Sequence, residues 1–248
     1  MTRIASHRGG TLEFGDSTPR GFAATAAMPL DEVEFDVHPT ADGAIMVHHD
    51  ATLDRTTDRT GALAALTEAE IRSAAIDYAA GEHPISLSDL CAIFRNSSVD
   101  LRCEIKPGAD GLPYAGFVPR VVETLEREDM LRRTGFSSFL IATLDELAVA
   151  SDRPRLWLVS PAVLRQLGPA AVIELARSHA IPEIGVDVDM ADAALMEMVQ
   201  RAGIDFGVWG AHSMIQIDKA LHLGVKVFTT DRPSLAIVRR RLLVETAA

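Results

Sequence analysis

Short strand-like runs alternate with helix-like stretches along this chain, and no other feature constrains its fold as tightly. Val33-Glu34-Phe35-Asp36-Val37 and Leu101-Arg102-Cys103-Glu104-Ile105-Lys106 alternate with period 2. Ile4–His7, Ser138–Ile141, Leu156–Val159, Ile184–Asp187, Phe206–Trp209 and Val225–Thr229 are further strand candidates. Helix-like stretches fall between most of them, clearest over Pro19–Ala27, Phe117–Glu128, Ala170–His179, Ala191–Ala202 and Ser213–Leu223. Strands that alternate with helices imply a parallel sheet. Eight such runs fit a closed (β/α)8 barrel of the TIM type, a fold that takes about 250 residues, and the chain has 248. A doubly wound open sheet is the alternative, because alternation alone does not show closure.

One more strand-like run, Ala44-Ile45-Met46-Val47-His48, breaks the alternation. It follows Thr40-Ala41-Asp42-Gly43, and Asp-Gly is a strong hairpin-turn signal. The spacing therefore predicts a hairpin strand folded back on the second barrel strand. From about 40 to 90, hairpin and following stretch form a small insertion capping the barrel mouth. No linker, repeat or low-complexity run divides residues 1–248, so a single domain is expected. Lys and Arg number 24 against 35 Asp and Glu, a formal charge of −11. Such a chain is a poor ligand for nucleic acid or anionic membranes, where affinity rests on cations. No apolar run reaches 18 residues, so no membrane span is expected. The first residues lack the apolar core of a secretory signal, which leaves a cytoplasmic protein as the expectation. Cys91 and Cys103 form no metal-binding motif and read as two buried, reduced thiols.

In barrels the working residues sit at the C-terminal ends of the strands. His7-Arg8-Gly9-Gly10 ends the first strand, and its glycines mark a turn where backbone can approach a ligand. Glu34 and Asp36 share one strand face, and side-by-side carboxylates need a positive partner such as a hard divalent cation. Glu104 and Lys106 repeat that geometry. Glu104 reads as a third oxygen ligand, and Lys106 as a phosphate contact or the partner of Glu104. His48-His49-Asp50 ends the hairpin strand, and only one of two adjacent histidines can point inward. His38 and His83 lie near the expected mouth, while His179 and His222 fall on helices and read as surface residues. No phosphate-binding glycine loop of the nucleotide-cofactor folds is present.

Taken in order, His7-Arg8-Gly9, Glu34-x-Asp36, Thr40-x-Asp42-Gly43, His49-Asp50 with Leu53-x-Arg55-Thr56, Glu104-Ile105-Lys106 and Thr230-Asp231-Arg232-Pro233 resemble the glycerophosphodiester phosphodiesterase family. The resemblance implies an elliptical barrel with a small insertion. It also implies hydrolysis of a small-molecule glycerophosphodiester to glycerol 3-phosphate and an alcohol, with one divalent cation, Mg²⁺ or Ca²⁺. Carried onto this chain, it makes Glu34, Asp36 and Glu104 the metal carboxylates and His7 and His49 the acid/base pair. Arg8 and Lys106 become the phosphate-holding cations. It also selects His49 over His48.

Two positions depart from the family pattern. Asp16-Ser17-Thr18 stands where the family has Glu-Asn-Thr, and Trp209-Gly210-Ala211-His212 where it often has Trp-x-x-Asn. Trp209 and His212 are therefore expected in the substrate pocket, where they bear on the leaving group. The other readings are a phosphodiesterase for a sugar-containing or other unusual diester, a relative that stops at a cyclic phosphate, and a non-catalytic barrel that binds phosphodiesters.

Overall fold

The computed structural model describes residues 1–79 and 81–247. Its strands are β1 (Arg3–His7), β2 (Glu32–Pro39), β3 (Ile45–Val47), β4 (Asp100–Ile105), β5 (Thr134–Ser138), β6 (Arg155–Val159), β7 (Glu183–Asp187), β8 (Asp205–Trp209) and β9 (Val227–Thr230). Hydrogen-bonded neighbours run β1-β9-β8-β7-β6-β5-β4-β2, and β1 pairs back onto β2, so the sheet closes. Every pairing in the ring is parallel. The (β/α)8 barrel is thus the fold, and the open-sheet alternative is excluded. β3 lies outside the ring, antiparallel on β2 with Val37 opposite Val47. The turn between them is the expected one. Gly43 takes φ +94°, and the Thr40 hydroxyl accepts from the Ala44 N–H at 2.8 Å.

Helices α1 (Thr11–Phe14), α2 (Pro19–Ala26), α3 (Glu68–Arg72), α4 (Leu87–Phe94), α5 (Phe117–Arg127), α6 (Ile141–Ala150), α7 (Pro161–Ser178), α8 (Ala193–Arg201), α9 (Met214–Leu223) and α10 (Pro233–Ala247) complete the chain. Phe22, Phe94, Val121, Leu144, Val172 and Ile217 belong to one apolar core with the alternate residues Val33, Phe35 and Val37 of β2. The opposite face of β2 is thereby left for Glu34 and Asp36. Hydroxyl or carboxylate caps start many of these helices, among them Thr18, Ser160, Asp192 and Ser213.

Several boundaries differ from those expected. The fifth strand is Thr134–Ser138, not Ser138–Ile141, and Ile141 opens a helix. Its small residues Gly135, Ser137 and Ser138 hide the strand, because two buried serines sit where an apolar residue was sought. The helix expected from Ala170 starts at Pro161. Non-helical Gly168 before Pro169 splits it, so only its second half reads as helical in sequence. The capping stretch ends before α4, which packs on α2 and α5 and so belongs to the barrel's helices. That stretch has its own small core of Met46, Leu53, Leu63, Ile71 and Ala74. Both thiols are buried and unpaired. Among the described residues, no helix is long and apolar enough to cross a membrane.

Near the strand N-termini a charged network crosses the barrel interior. Arg102, 7% exposed, donates to Glu32 at 2.7 Å and faces Glu183 at 3.7 Å. Arg3 joins Glu32 at 3.2 Å, and Lys226 bonds Glu183. The Glu32 carboxyl is held below its usual range against its burial, because Arg102 and Arg3 sit beside it. Removing Arg102 leaves Glu32 with Arg3 and Glu183 with Lys226, each short of one buried partner, which costs about 1–3 kcal/mol. Arg102→Met should therefore lower the urea unfolding free energy by about that amount. An unchanged midpoint in the denaturation curve would show that the network contributes nothing.

Candidate active site

β1 ends in a turn of unusual backbone. Arg8, Gly9 and Gly10 all have positive φ, at 49°, 76° and 87°. A left-handed conformation is uncommon for an arginine and marks a position held by its surroundings. Here the Arg8 N–H donates to the Glu34 carbonyl at 2.9 Å and also approaches its carboxylate at 3.2 Å. Gly9 has no room for a side chain, since a Cβ would stand 3.0 Å from the Phe22 nitrogen of α2. The turn throws the Arg8 guanidinium over the mouth, where it meets Asp36 at 3.1 Å and Asp16 at 3.0 Å.

Glu34, Asp36 and Glu104 point together into the barrel mouth, and their ligand atoms lie within 4.8 Å of one another. All three are buried. Lys106 reaches Glu104 at 2.8 Å and Asp36 at 3.4 Å. Burial, with Asp36 and Glu104 alongside, pushes the Glu34 carboxyl well above the usual carboxylate range. Burial raises Glu104 too, against the pull of Lys106. Asp36 is held far below that range despite its burial, because Lys106 and Arg8 both face it. One oxygen of Glu34 and both of Asp36 are buried without a hydrogen bond among the described residues. Unbonded buried carboxylate oxygens in an all-oxygen set are what a hard divalent cation needs. The residues present therefore fit such an ion.

Two imidazoles flank this cluster, each anchored at Nδ1 by a carboxylate. His7 Nδ1 lies 2.5 Å from Asp231, which leaves Nε2 on the Glu34 side at 3.9 Å. His49 Nδ1 bonds Asp50, and its Nε2 lies 3.2 Å from the Lys106 ammonium. Burial lowers the His49 pKa, helped by the charges of Lys106 and Arg8. Arg55, from the insertion, bonds Asp50 and reaches Asp16 at 3.1 Å. Arg55 and His49 hold the Asp50 carboxyl down to about 2 against its burial. His48 faces away from the mouth, where its Nε2 donates to the Thr52 carbonyl at 3.2 Å. The structure thus brings His7, Arg8, Glu34, Asp36, His49, Glu104 and Lys106 together, and separates His48 from them.

A cavity of about 480 Å³ opens above the cluster. His7, Arg8, Glu34, His49, Glu104 and Lys106 line one side of it, and Trp209 and His212 line it as expected. Asp231, Asp50 and Arg55 stood in the sequence motifs and Asp16 in a departure from them, all without a role, whereas Phe139 and Asp187 were missed as lining groups. Asp187 closes a strand-like run and Asp231 follows one, so the strand-end rule could have found both. Phe139 had been absorbed into a misplaced strand. His7, His212 and Asp231 also bring ligand atoms within 4.8 Å. Their Nδ1 atoms are already engaged, by the Asp231 carboxylate and by the Asp231 N–H at 3.0 Å, so this cluster suits proton handling. Of the other histidines, His38 is buried behind His49, His83 bonds the Ala74 carbonyl, His179 pairs with Asp145 and His222 is exposed.

A family model described as the glycerophosphoryl diester phosphodiesterase family matches residues 7–235. The glycerophosphodiester phosphodiesterase of Caldanaerobacter subterraneus subsp. tengcongensis is 24% identical over 247 residues, 95% of this chain and 96% of its own length. A solved structure from Agrobacterium tumefaciens str. C58, described as a candidate glycerophosphoryl diester phosphodiesterase, is 66% identical with a TM-score of 0.98 over 99% of both chains. An Oleispira antarctica phosphodiesterase solved in complex with the product sn-glycerol-3-phosphate has the same fold, at 20% identity and a TM-score of 0.80 over 96% of both chains.

A cation bound at the three carboxylates stabilises the folded chain by mass action, by about 2.7 kcal/mol at a hundredfold excess over its Kd. For a chain of this length, that raises Tm by roughly 5 °C or more. Thermal melts with and without Mg²⁺ or Ca²⁺ should show the rise. Glu34→Gln should leave the metal-free Tm unchanged or higher and abolish the shift. A full shift in that variant would place the ion elsewhere.

Proposed function

The chain belongs to the glycerophosphoryl diester phosphodiesterase family and is a phosphoric diester hydrolase, and on that premise we propose that it cleaves a glycerophosphodiester to glycerol 3-phosphate and an alcohol. The observation that carries this reading is the pair of imidazoles, each anchored at Nδ1 and each presenting Nε2 beside a buried three-carboxylate cluster. A phosphodiester resists attack because its oxygens are negative, so a site for it must gather positive charge. The Arg8 guanidinium is a planar fork suited to phosphate oxygens, and Lys106 is a point charge at the other edge of the cluster. Glu34, Asp36 and Glu104 would hold one divalent cation, Mg²⁺ or Ca²⁺. When bound, it supplies Lewis-acid withdrawal of charge from the phosphoryl oxygens.

His7 and His49 are the acid/base pair in this reading. With Nδ1–H given to Asp231, His7 keeps Nε2 for the reacting groups, and the carboxylate steadies the imidazolium that forms on protonation. His49 is arranged alike, with Asp50 on Nδ1 and Lys106 beside Nε2. One histidine takes the proton from the attacking oxygen, and the other returns one to the leaving alkoxide. Trp209 and His212 face the space left for the rest of the substrate.

His7→Ala and His49→Ala should each lower kcat on a glycerophosphodiester by about 10²–10⁴-fold, with the far-ultraviolet spectrum and melting midpoint near those of the parent. Near-parental turnover in either variant would refute the pair. Excess EDTA should abolish turnover, and added Mg²⁺ or Ca²⁺ should restore it.

A further inference from the structure

The wall of the cavity opposite Arg8 and Lys106 carries a carboxylate that pairs with no Lys or Arg among the described residues. Asp187 ends β7, in register with Trp209 at the end of β8. One of its oxygens accepts from the Asp189 N–H at 2.8 Å. The other lies beside Gly210, 3.7 Å from where a Cβ would stand. Gly210 has φ +79° and no side chain, so nothing from the following residue covers that oxygen. The basic groups in the cavity are committed elsewhere. Arg8 meets Asp16 and Asp36, and Lys106 meets Glu104 and Asp36. His212 accepts the Asp231 N–H at Nδ1, which leaves its imidazole neutral in this arrangement, and burial lowers its pKa.

Aromatic rings connect this carboxylate to the phosphate end. The Trp209 indole N–H donates to the Gly185 carbonyl at 3.3 Å, which lays the ring across β7 next to Asp187. Phe139 meets Trp209 edge-on, with centroids 5.8 Å apart. The Lys106 ammonium stands 5.8 Å from the Phe139 centroid. A group ester-linked to a phosphate held by Lys106 would therefore run along Phe139 and Trp209 toward Asp187. His212 and Gln216 line the same cavity and can donate to hydroxyls, but among the described residues the wall offers no cation to Asp187, and rings beside an unpaired carboxylate suit a positively charged group.

We infer that Asp187, with Trp209 and Phe139, is the specificity determinant of this site and selects diesters whose leaving alcohol carries an ammonium group. The inference rests on the hydrolytic reading above and adds the class of alcohol. An amino alcohol brings the charge that Asp187 lacks, and quaternary and primary ammonium groups both suit a ring face.

The test compares kcat/KM for sn-glycero-3-phosphoethanolamine and sn-glycero-3-phosphocholine with that for sn-glycero-3-phosphoinositol, in the parent and in Asp187→Asn. Asparagine caps the following turn as well as aspartate does, so the variant removes the charge and keeps the local fold. The parent should favour the cationic diesters by about tenfold or more. Asp187→Asn should lose about that factor on them, mostly through KM, so that the ratio of kcat/KM for the cationic diesters to that for the inositol diester falls toward one. Equal loss on all three substrates, no loss on the cationic ones, or no preference in the parent would overturn the inference while leaving the hydrolytic reading intact. Absence of hydrolysis of every glycerophosphodiester by the parent would overturn both.

Discussion

Three buried carboxylates share the barrel mouth with two cations, and that imbalance organises the rest of the site. Burial and the neighbouring carboxylates push Glu34 and Glu104 upward, although Arg8 and Lys106 pull the other way. The surrounding groups hold the imbalance in place. Arg8 sits in a left-handed turn to reach Asp36, and Asp16 and Arg55 extend the alternation of charge outward to Asp50 and His49. A place for further positive charge is thus built into the centre of the site, and its three carboxylates fit a divalent ion.

The opposite end of the barrel solves a similar problem differently. Around Arg102, side chains of opposite sign meet directly, and Arg3 and Lys226 close the network from outside. Charges that satisfy one another make a floor, whereas charges that leave one another unsatisfied make a site. Between the two ends Gly185, Gly207 and Ser137 line the cavity beside Leu156, Leu158 and Val227.

Much of this was legible in the sequence, for definable reasons. β2 and β4 carry strict alternation, so their inward carboxylates could be read directly, and Asp42-Gly43 marked the hairpin. β5 could not be placed, because Gly135, Ser137 and Ser138 replace the apolar residues that announce a strand. Gly168 and Pro169 concealed the first half of α7. In the site, residues at strand ends were found, since strand ends are where barrel chemistry lies. Arg55 stands in a motif, but its reach to Asp50 and to Asp16 in the turn before α2 depends on how the insertion folds, and no local pattern encodes that. The cationic preference of the far wall needed the register of Asp187 with Trp209, a relation between separate segments.

Arg55 gives the insertion a further significance. One guanidinium joins the carboxylate behind His49 to the carboxylate behind Arg8, and it belongs to a segment whose small core is separate from that of the barrel. Segments with few buried contacts open locally at lower free energy than the core they cover. Opening of the insertion would release Asp50 and Asp16 together while the closed sheet stays intact. Loosening of that small core would therefore reach the groups behind His49 and Arg8 before it reached the closed sheet.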